Sequence, residues 1–389
     1  MNNTKVNPTK MSIKDLLLSD ETLFRNEEVF NPDHIPENYI HRESQLKGIT
    51  ECLRPALRKG RPINALIIGP PATGKTTGIK KIFQEMEEVS DNVIAVHINC
   101  QIYKTKFAVF SQISKRIFGH LPPETGVPFP KIYDKIFKKL INENKSLVVA
   151  LDDLNYLFYE RWANNIIYDI LRAHEVYPGA KTAVFGISSD KDFWHNLDNK
   201  VSSIFRHQEI YFPPYSAKET FDILKNRTQI GFFPGVITDQ LLEEISRHAS
   251  THGDLRLGIE LLRICALIAE SDSSRVIERR HIEEAYKRSK LVAIKDLLGA
   301  LNDDEKDLIK TIADYNEEGI SSGDLYNRHS KSAKVSYTHF YRILDKLESV
   351  KLIDTKFTGE GKRGRTRLIT LRYPREAIRE LIDKNLFKD

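Results

Sequence analysis

The sequence has few of the features that would point to an exported or membrane-bound protein. It has three cysteines in 389 residues (Cys52, Cys100 and Cys265), far apart and without metal-ligand spacing, which predicts reduced core thiols rather than disulfides. No apolar run approaches the roughly 18 residues that a membrane-spanning helix needs, and we expect no signal peptide in the polar amino terminus. We therefore expect a cytoplasmic protein, and its length predicts two or three domains.

The chain also lacks a large overall charge, but its charge is unevenly distributed. The formal net charge is +5, whereas residues 328–372 contain 12 Lys and Arg against 4 Asp and Glu. A basic segment on a nearly neutral body favours an anionic polymer as partner, and a solvated charged face is the alternative.

The order of apolar segments predicts an α/β core with a parallel sheet and helices on both faces, followed by an all-α lid and a winged helix. Strand patterns occur at 64–68, 93–98, 147–151, 182–187 and 209–212, and the segment from Ser216 to about Lys290 is helical throughout. The last portion predicts three helices and then two strands. The expected boundaries are a disordered terminus at 1–15, a core at 16–213, a lid at 214–292 and a winged helix at 293–389.

A phosphate-binding loop follows the first strand. The segment matches G-x-x-x-x-G-K-[ST], with a strand before it and a helix after it, which is the context that this motif requires. Its glycines let backbone amides turn toward phosphate oxygens, Lys75 reaches the outer phosphates, and Thr76 is a ligand for Mg²⁺. The nine loop positions are Gly69, Pro70, Pro71, Ala72, Thr73, Gly74, Lys75, Thr76 and Thr77. We predict that the chain binds ATP or ADP with magnesium.

Two carboxylates follow the apolar strand at 147–151. Asp152 is predicted to coordinate hydrated Mg²⁺, and Asp153 to polarise the attacking water. An Asp-rich turn without catalytic function is the alternative.

Three further polar residues are candidate sensors of the nucleotide. Ser189 follows the next buried strand, Arg206 precedes the last strand and could reach a neighbouring subunit's nucleotide, and Arg256 opens a helix in the lid. The alternatives are a helix cap for Ser189, a solvated side chain for Arg206 and a structural ion pair for Arg256.

The basic carboxyl-terminal portion predicts contact with duplex DNA. On a helix at 336–350, Phe340, Ile343, Leu344 and Leu347 share one inward face. Outward side chains would enter a major groove, and a Gly- and Arg-rich turn would lie in a minor groove or along phosphates. The alternative is a winged helix that binds protein. The candidate DNA contacts are Lys331, Lys334, Tyr337, Thr338, Tyr341, Arg342, Lys362, Arg363, Arg365 and Arg367.

Taken together, these motifs resemble those of AAA+ ATPases. Three sequence segments narrow the resemblance to archaeal replication initiators of the origin-recognition and cell-division-control type. The resemblance covers the chain from about Leu23 to the end. The segments are 35–43 (IPENYIHRE), 212–215 (FPPY) and 253–256 (GDLR) with 260–263 (ELLR).

The resemblance implies a nucleotide site wider than the loop. It places Tyr39, Ile40, His41 and Arg42 against adenine and ribose, Asn64 near the phosphate loop, and Tyr215 at the nucleotide. It also implies an extra DNA-touching helical element within 103–130. The chain departs from the family pattern at three positions, because Ala72 replaces a usual glycine, Asp153 a usual glutamate and Ser189 a usual asparagine. We therefore expect secure nucleotide binding but slow hydrolysis.

The main hypothesis is an initiator that binds duplex origin DNA under ATP/ADP control, distorts it and helps to load the replicative helicase. It would be associated with the nucleoid and act with other initiator subunits. One alternative is a nucleotide-controlled transcription regulator or plasmid-type initiator. Another is a scaffold or signalling ATPase whose winged helix binds protein, and a processive motor is a third.

Overall fold

The computed structural model describes residues 22–123, 126–159, 161–189, 197–315, 319–331, 333, 335–358 and 366–383. The chain divides into two compact units, Met1–Glu278 and Arg279–Asp389. The terminus at 1–15, which we expected to be disordered, lies outside the described residues.

The first unit contains a parallel five-stranded sheet in the order β2-β3-β4-β1-β5. All five predicted strands are present, and the last begins two residues earlier than predicted because Asn64 of the first strand pairs with His207. The strands are β1 (Asn64–Ile68), β2 (Val93–Asn99), β3 (Ser146–Asp152), β4 (Lys181–Ser188) and β5 (His207–Tyr211).

Helices cover both faces of this sheet, which explains why its central strands β3 and β4 are apolar without alternation. Every residue of β3 is buried, and β4 is buried from its second residue onward. One apolar cluster lies on each face. The helices are α1 (Glu43–Leu57), α2 (Lys75–Val89), α3 (Lys106–Phe118), α4 (Phe129–Asn142), α5 (Asn155–Tyr159), α6 (Ala163–Leu171), α7 (Ala173–Val176) and α8 (Asn199–Ile204).

Two helices, α3 and α4, connect β2 to β3, where a parallel connection needs only one. The α3 helix lies inside the range in which the resemblance places an extra DNA-touching element. That DNA contact stays a prediction.

Three helices follow β5, as the sequence predicted for the lid. Ser216 and Glu219 form a reciprocal capping box at the start of the first of them. An amino-terminal segment packs against this bundle, where Phe30 stacks on Phe232 with ring centroids 4.6 Å apart and Arg227 donates to the carbonyl of Val29. The helices are α9 (Ala217–Gly231), α10 (Asp239–His252) and α11 (Leu255–Ser271).

The second unit has the helices and antiparallel strands of a winged helix around one apolar core. The predicted caps Asn302 and Ser336 both accept a hydrogen bond from a backbone amide of the helix that follows them. The first strand and the final helix were not predicted. The elements are α12 (Arg279–Gly299), α13 (Asp303–Ala313), β6 (Ile320–Ser321), α14 (Ser322–His329), α15 (Tyr337–Ser349), β7 (Ile353–Thr358), β8 (Thr366–Leu371) and α16 (Arg375–Asp383).

The expected boundary at 292–293 falls inside α12, which is one continuous helix. The two-residue β6 was missed because it is too short to show an alternating pattern, yet it pairs with Ile369 and Leu368. In the part of the chain that the structure describes, no helix is long and apolar enough to cross a membrane.

Candidate nucleotide site and nucleic-acid interface

The phosphate loop leaves the carboxyl end of β1 and turns into α2. Gly74, the residue before α2, has φ 89°, and Ala72 has φ 59°, so both adopt the left-handed conformation that favours glycine. Gly69 packs so closely on the backbone that a Cβ there would lie 2.1 Å from the carbonyl oxygen of Phe212. Because Ala72 is in the left-handed conformation, its backbone has a conformational strain that glycine at this position would not have.

Lys75 is nine-tenths buried at the start of α2. Its Nζ donates to the carbonyl oxygens of Gly69 at 2.6 Å and Pro70 at 2.7 Å. Burial lowers the pKa of Lys75 to about 8, although the charges of Asp152 and Asp153 oppose this shift. The structure thus holds one partly desolvated cation inside the loop.

Thr76 and Asp152 meet beside this lysine. The Thr76 hydroxyl donates to Oδ2 of Asp152 at 2.8 Å, and Nε2 of His97 lies 2.8 Å from the same oxygen. Burial works to raise the pKa of Asp152, but the bonds from His97 and Thr76 outweigh it and hold the pKa below its usual range. Asp152 therefore stays ionised at neutral pH.

A hydroxyl beside an ionised carboxylate is a donor set that suits Mg²⁺, a hard cation that prefers oxygen ligands. Among the described residues, there is no cluster of three or more His, Cys, Asp or Glu side chains that could hold a metal. The pair fits an ion that takes its remaining ligands from water and nucleotide phosphates, as magnesium does in such sites.

Asp153 lies next in the chain, with φ 54°. Burial and the neighbouring Asp152 raise the pKa of Asp153. Its Oδ2 accepts a hydrogen bond from Nε2 of Gln101 at 2.8 Å. This bond occupies one oxygen of the carboxylate that the sequence assigned to the attacking water, and slow hydrolysis stays a prediction.

The lid directs Arg256 toward this site. Asp254 caps α11, with its Oδ1 accepting from the backbone amide of Arg256 at 2.9 Å. The charge of Arg256 acts to lower the pKa of both Lys75 and Asp153, although burial is the largest influence on each. The role of Arg256 as a sensor stays a prediction. Ser189 is exposed just beyond β4, next to the strand that delivers the loop.

Asn64 and Arg206 lie at the amino-terminal ends of their strands, opposite the ends that carry the phosphate loop. Asn64 Nδ2 donates to the carbonyl oxygen of Arg206, and its Oδ1 accepts from the amide of Val184, both at 3.0 Å. The prediction that Asn64 lies near the phosphate loop is wrong, because it begins β1 and the loop follows the other end, about 13 Å along an extended strand.

Arg206 is exposed at the amino end of β5, away from the carboxyl strand ends where the loop lies. It therefore lies at the strand ends opposite those that carry the phosphate loop. Its action on a neighbouring subunit's nucleotide stays a prediction.

The segment that the resemblance placed at adenine and ribose contacts the phosphate loop. Tyr39 OH donates to the carbonyl oxygen of Gly74 at 2.6 Å, and Arg42 Nε donates to that of Thr73 at 3.1 Å. The Arg42 guanidinium lies 3.6 Å from the centre of the Tyr215 ring.

The residues between them are placed differently. His41 has φ 63°, and its Nε2 lies 3.1 Å from Oδ2 of Asp222 in the lid. Ile40 is half-buried in the same segment. Contact of these residues with adenine stays a prediction.

In the second unit, α15 buries the face that the sequence predicted and exposes another. Phe340, Ile343, Leu344 and Leu347 are all buried. Tyr337 and Thr338 are exposed, and the Tyr337 hydroxyl donates to that of Tyr341, which donates in turn to Ser322 Oγ. The exposed face therefore presents a row of hydroxyl groups.

The flank of α15 next to α13 is occupied by acidic residues. Lys346 Nζ lies 2.8 Å from both carboxylate oxygens of the buried Glu305, and His339 Nε2 lies 3.0 Å from Oδ2 of Asp304. Arg342 contacts Nδ1 of His339. Lys346 is thus a structural cation, whereas Arg342 is exposed beside the hydroxyl row.

The remaining candidate DNA contacts lie around the strands and before α15. Arg367 on β8 pairs with Asp345 at 2.6 Å, and Lys331 is exposed after α14. Lys334, Lys362, Arg363 and Arg365 lie outside the described residues, so their contacts with DNA stay predictions.

Two residues of the nucleotide site were not predicted from the sequence. His97 lies in β2 and Gln101 two residues after it, and this strand carries no recognised motif. A polar histidine inside the apolar segment Val93–Asn99 was the available signal, because β2 neighbours the strand that ends in Asp152.

These features define a AAA+ ATPase with a winged-helix domain of the kind that binds nucleic acids. They are the phosphate loop, the acidic strand end, the helical lid and the winged helix itself. Family models agree, since residues 221–287 match the Cdc6 AAA+ ATPase-type lid domain and residues 308–381 match the CDC6 C-terminal winged helix domain.

Similar proteins narrow the class to a family. The chain is 51% identical over 370 residues to ORC1-type DNA replication protein 2 of Methanothermobacter thermautotrophicus, covering 95% of this chain and 97% of that protein. It is 44% identical over 374 residues to the protein of the same name from Methanosarcina mazei, covering 96% and 100%. The chain belongs to the family of ORC1-type DNA replication proteins.

A solved structure agrees with this assignment. The Aeropyrum pernix ORC1 protein in complex with DNA matches with a TM-score of 0.78 and 26% identity, over 94% of this chain and 97% of that one.

Proposed function

We propose that this protein is a replication initiator that binds duplex origin DNA under the control of ATP and ADP. The observation that carries the proposal is the presence, in one chain, of the Thr76–Asp152 nucleotide site and a winged helix of the CDC6 type. The relatives are named as DNA replication proteins, and the chain matches them over nearly their whole length. The Aeropyrum pernix relative was solved in complex with DNA.

The nucleotide site would use few side chains. Backbone amides from Ala72 to Thr77 and the Lys75 ammonium group would bind the phosphates, while Thr76 and Asp152 would hold Mg²⁺. A magnesium ion held by these two residues would supply positive charge beside the phosphates. Asp153 would orient the attacking water, and Arg256 and Ser189 would sense whether the outer phosphate is present.

Hydrolysis would be slow and serve as a switch. The Asp153 side chain is one methylene shorter than glutamate and is engaged by Gln101. Ser189 likewise reaches less far than the asparagine usual in the family. ATP binding would favour one arrangement of the lid and ADP another, so the identity of the bound nucleotide rather than rapid turnover would control DNA binding.

On DNA, the exposed face of α15 would enter the major groove, with Arg342 at base edges and the hydroxyls of Tyr337, Thr338 and Tyr341 at phosphates. The basic turn would add contacts that do not depend on sequence. Bound at an origin in the nucleoid, the protein would distort the duplex and help to load the replicative helicase. Arg206 would act only where subunits meet there.

Two other functions fit fewer of these observations. A transcription regulator would need the same nucleotide and DNA sites but no contact with a helicase. A scaffold ATPase would bind a protein partner through its winged helix. The 12 basic residues against 4 acidic ones in 328–372 favour DNA over a protein as the partner.

A genome-wide footprint of the protein on its own chromosome tests the proposal. We expect enrichment at one or a few sites beside a replication start. Enrichment at many promoters would favour the regulator, and no enrichment in a protein that still binds ADP would favour the scaffold.

A further inference from the structure

The segment just before α1 contains a buried arginine whose bonds are unusual. Arg42 is 1% exposed, yet all three guanidinium nitrogens donate to backbone carbonyl oxygens rather than to carboxylates. Burying such a charge is costly, so an arginine held in this way has a specific task in organising the backbone.

Two of those carbonyls lie in different parts of the nucleotide site. Nε donates to the carbonyl of Thr73 in the phosphate loop at 3.1 Å, and NH2 donates to the carbonyl of Pro213, just before the lid, at 2.6 Å. The guanidinium also stacks on the ring of Tyr215. One side chain therefore ties the loop to the segment that leads into α9.

Tyr39 adds a second bond to the next peptide group of the loop, whose carbonyl also accepts from the Gly78 amide at 2.8 Å. Its hydroxyl donates to the carbonyl oxygen of Gly74 at 2.6 Å. A Cβ on Gly74 would lie 2.1 Å from that hydroxyl and 2.9 Å from the hydroxyl of Tyr215. The two phenols thus pack directly on the glycine backbone.

The geometry of the peptide group links these bonds to phosphate binding. In a trans peptide the C=O and the following N–H point in opposite directions, so fixing one fixes the other. A bond to the Thr73 carbonyl directs the amide of Gly74 away from Arg42, and a bond to the Gly74 carbonyl directs the amide of Lys75 away from Tyr39. Both amides lie at the start of α2, where amides have no partner inside the helix and can bind anions.

We propose that Tyr39 and Arg42 are positioning residues, which hold the Thr73–Gly74 and Gly74–Lys75 peptide planes so that two amides face the nucleotide phosphates. They serve the phosphate part of the ligand and not its adenosine part. This inference rests on the proposed nucleotide binding.

The test compares ligands that differ only in phosphate. Adenosine, ADP and ATP displace a fluorescent ADP analogue from the full-length protein, from Tyr39→Phe and from Arg42→Lys. Tyr39→Phe removes one hydroxyl and keeps the ring. Arg42→Lys keeps the positive charge but loses the planar guanidinium group that donates to several carbonyls at once. Tyr168→Phe on α6 and Arg247→Lys on α10, both at exposed positions, are the matched controls.

We expect Tyr39→Phe to bind ADP and ATP about three- to tenfold more weakly, and Arg42→Lys at least about tenfold more weakly, because each loses a bond that orients an amide. Adenosine should bind both variants as tightly as it binds the wild type. Thermal unfolding of Tyr39→Phe confirms that it folds.

An equal loss for adenosine and ADP would mean that these side chains touch the adenosine part, which overturns the inference. Unchanged ADP binding in Tyr39→Phe would overturn it as well. A wild-type protein that binds none of the three ligands would instead sink the proposed function, so the two failures are distinguishable.

Discussion

Both units of this chain would bind phosphate according to the proposed function, but they would do so in opposite ways. The first unit offers one nearly buried lysine and a set of backbone amides, held by Tyr39, Arg42 and the tight packing of Gly69 and Gly74. The second offers many exposed cations around α15 and the strands. A buried, preorganised site depends on each part, whereas an exposed basic surface gains from its cations additively and is screened by salt.

The difference predicts how each unit responds to substitution. Loss of one group should disable the nucleotide site. Loss of one cation should only weaken DNA binding. The changes below test this contrast, from the largest expected effect to the smallest.

Lys75→Ala should abolish nucleotide binding, with a loss of at least about 100-fold in ADP affinity, because it removes the only side-chain cation inside the described loop. Calorimetric titration with ADP measures it. Lys80→Ala, further along α2, is the control and should bind normally. Residual ADP binding within tenfold of wild type would contradict the role given to Lys75.

Asp153→Asn should lower the rate of ATP hydrolysis by about 100-fold or more and leave ATP binding within a few fold, because the amide cannot accept a proton. Single-turnover hydrolysis and ATP binding are measured on the same preparation. The matched change Gln101→Ala frees Asp153 of its hydrogen bond and should leave hydrolysis equal or faster. A slower Gln101→Ala enzyme would mean that this bond helps the base.

Replacing Lys362, Arg363 and Arg365 by alanine should weaken duplex binding and lower the slope of log affinity against log salt by about 2–3 units, as expected for that number of lost phosphate contacts. Binding is measured by fluorescence anisotropy at several salt concentrations. The control replaces three exposed cations by alanine, two in α1 (Lys47 and Arg54) and one directly after it (Arg58), and so has the same net charge as the first variant. An unchanged slope in the first variant would sink the assignment of the turn.

Glu305→Gln should destabilise the winged helix by on the order of 1 kcal/mol at neutral pH, because it removes the partner of Lys346. Bonds from Lys346 and from the amide of Asn302 outweigh burial and hold the pKa of Glu305 below its usual value. The carboxylate thus adds stability above about pH 4.3, and that stability disappears as pH falls through the lowered pKa.

Thermal unfolding between pH 3 and pH 7 therefore measures a difference between wild type and Glu305→Gln that shrinks toward acid. A difference that is constant with pH would show that the carboxylate charge does not contribute.

The sequence predicted the fold well because its signals are local. The buried strands carry long apolar runs, and Ser216, Asn302 and Ser336 carry the side chains that cap a helix. Phe340, Ile343, Leu344 and Leu347 were assigned to the core by spacing alone. The two-residue β6 was missed because its pairing with β8 is a tertiary contact.

The candidate site was predicted where a motif spans consecutive residues, and less well where it depends on distant partners. Thr76 and Asp152 were paired by the logic of the motifs, and they do meet. Asn64 was misplaced because proximity in sequence to the loop hid the fact that a whole strand lies between them. His97 and Gln101 could not be found from spacing, since they reach Asp152 and Asp153 from a neighbouring strand.

The central claim is that nucleotide in the first unit controls DNA binding by the second. Its most direct test is the affinity for one origin duplex with ATP, with ADP and without nucleotide, in wild type and in Lys75→Ala, at two salt concentrations. We predict that ATP and ADP give wild-type affinities that differ by about fivefold or more, within the usual range of coupling between sites. Lys75→Ala should show one affinity in all three conditions. Identical wild-type affinities with ATP, with ADP and without nucleotide would contradict the account.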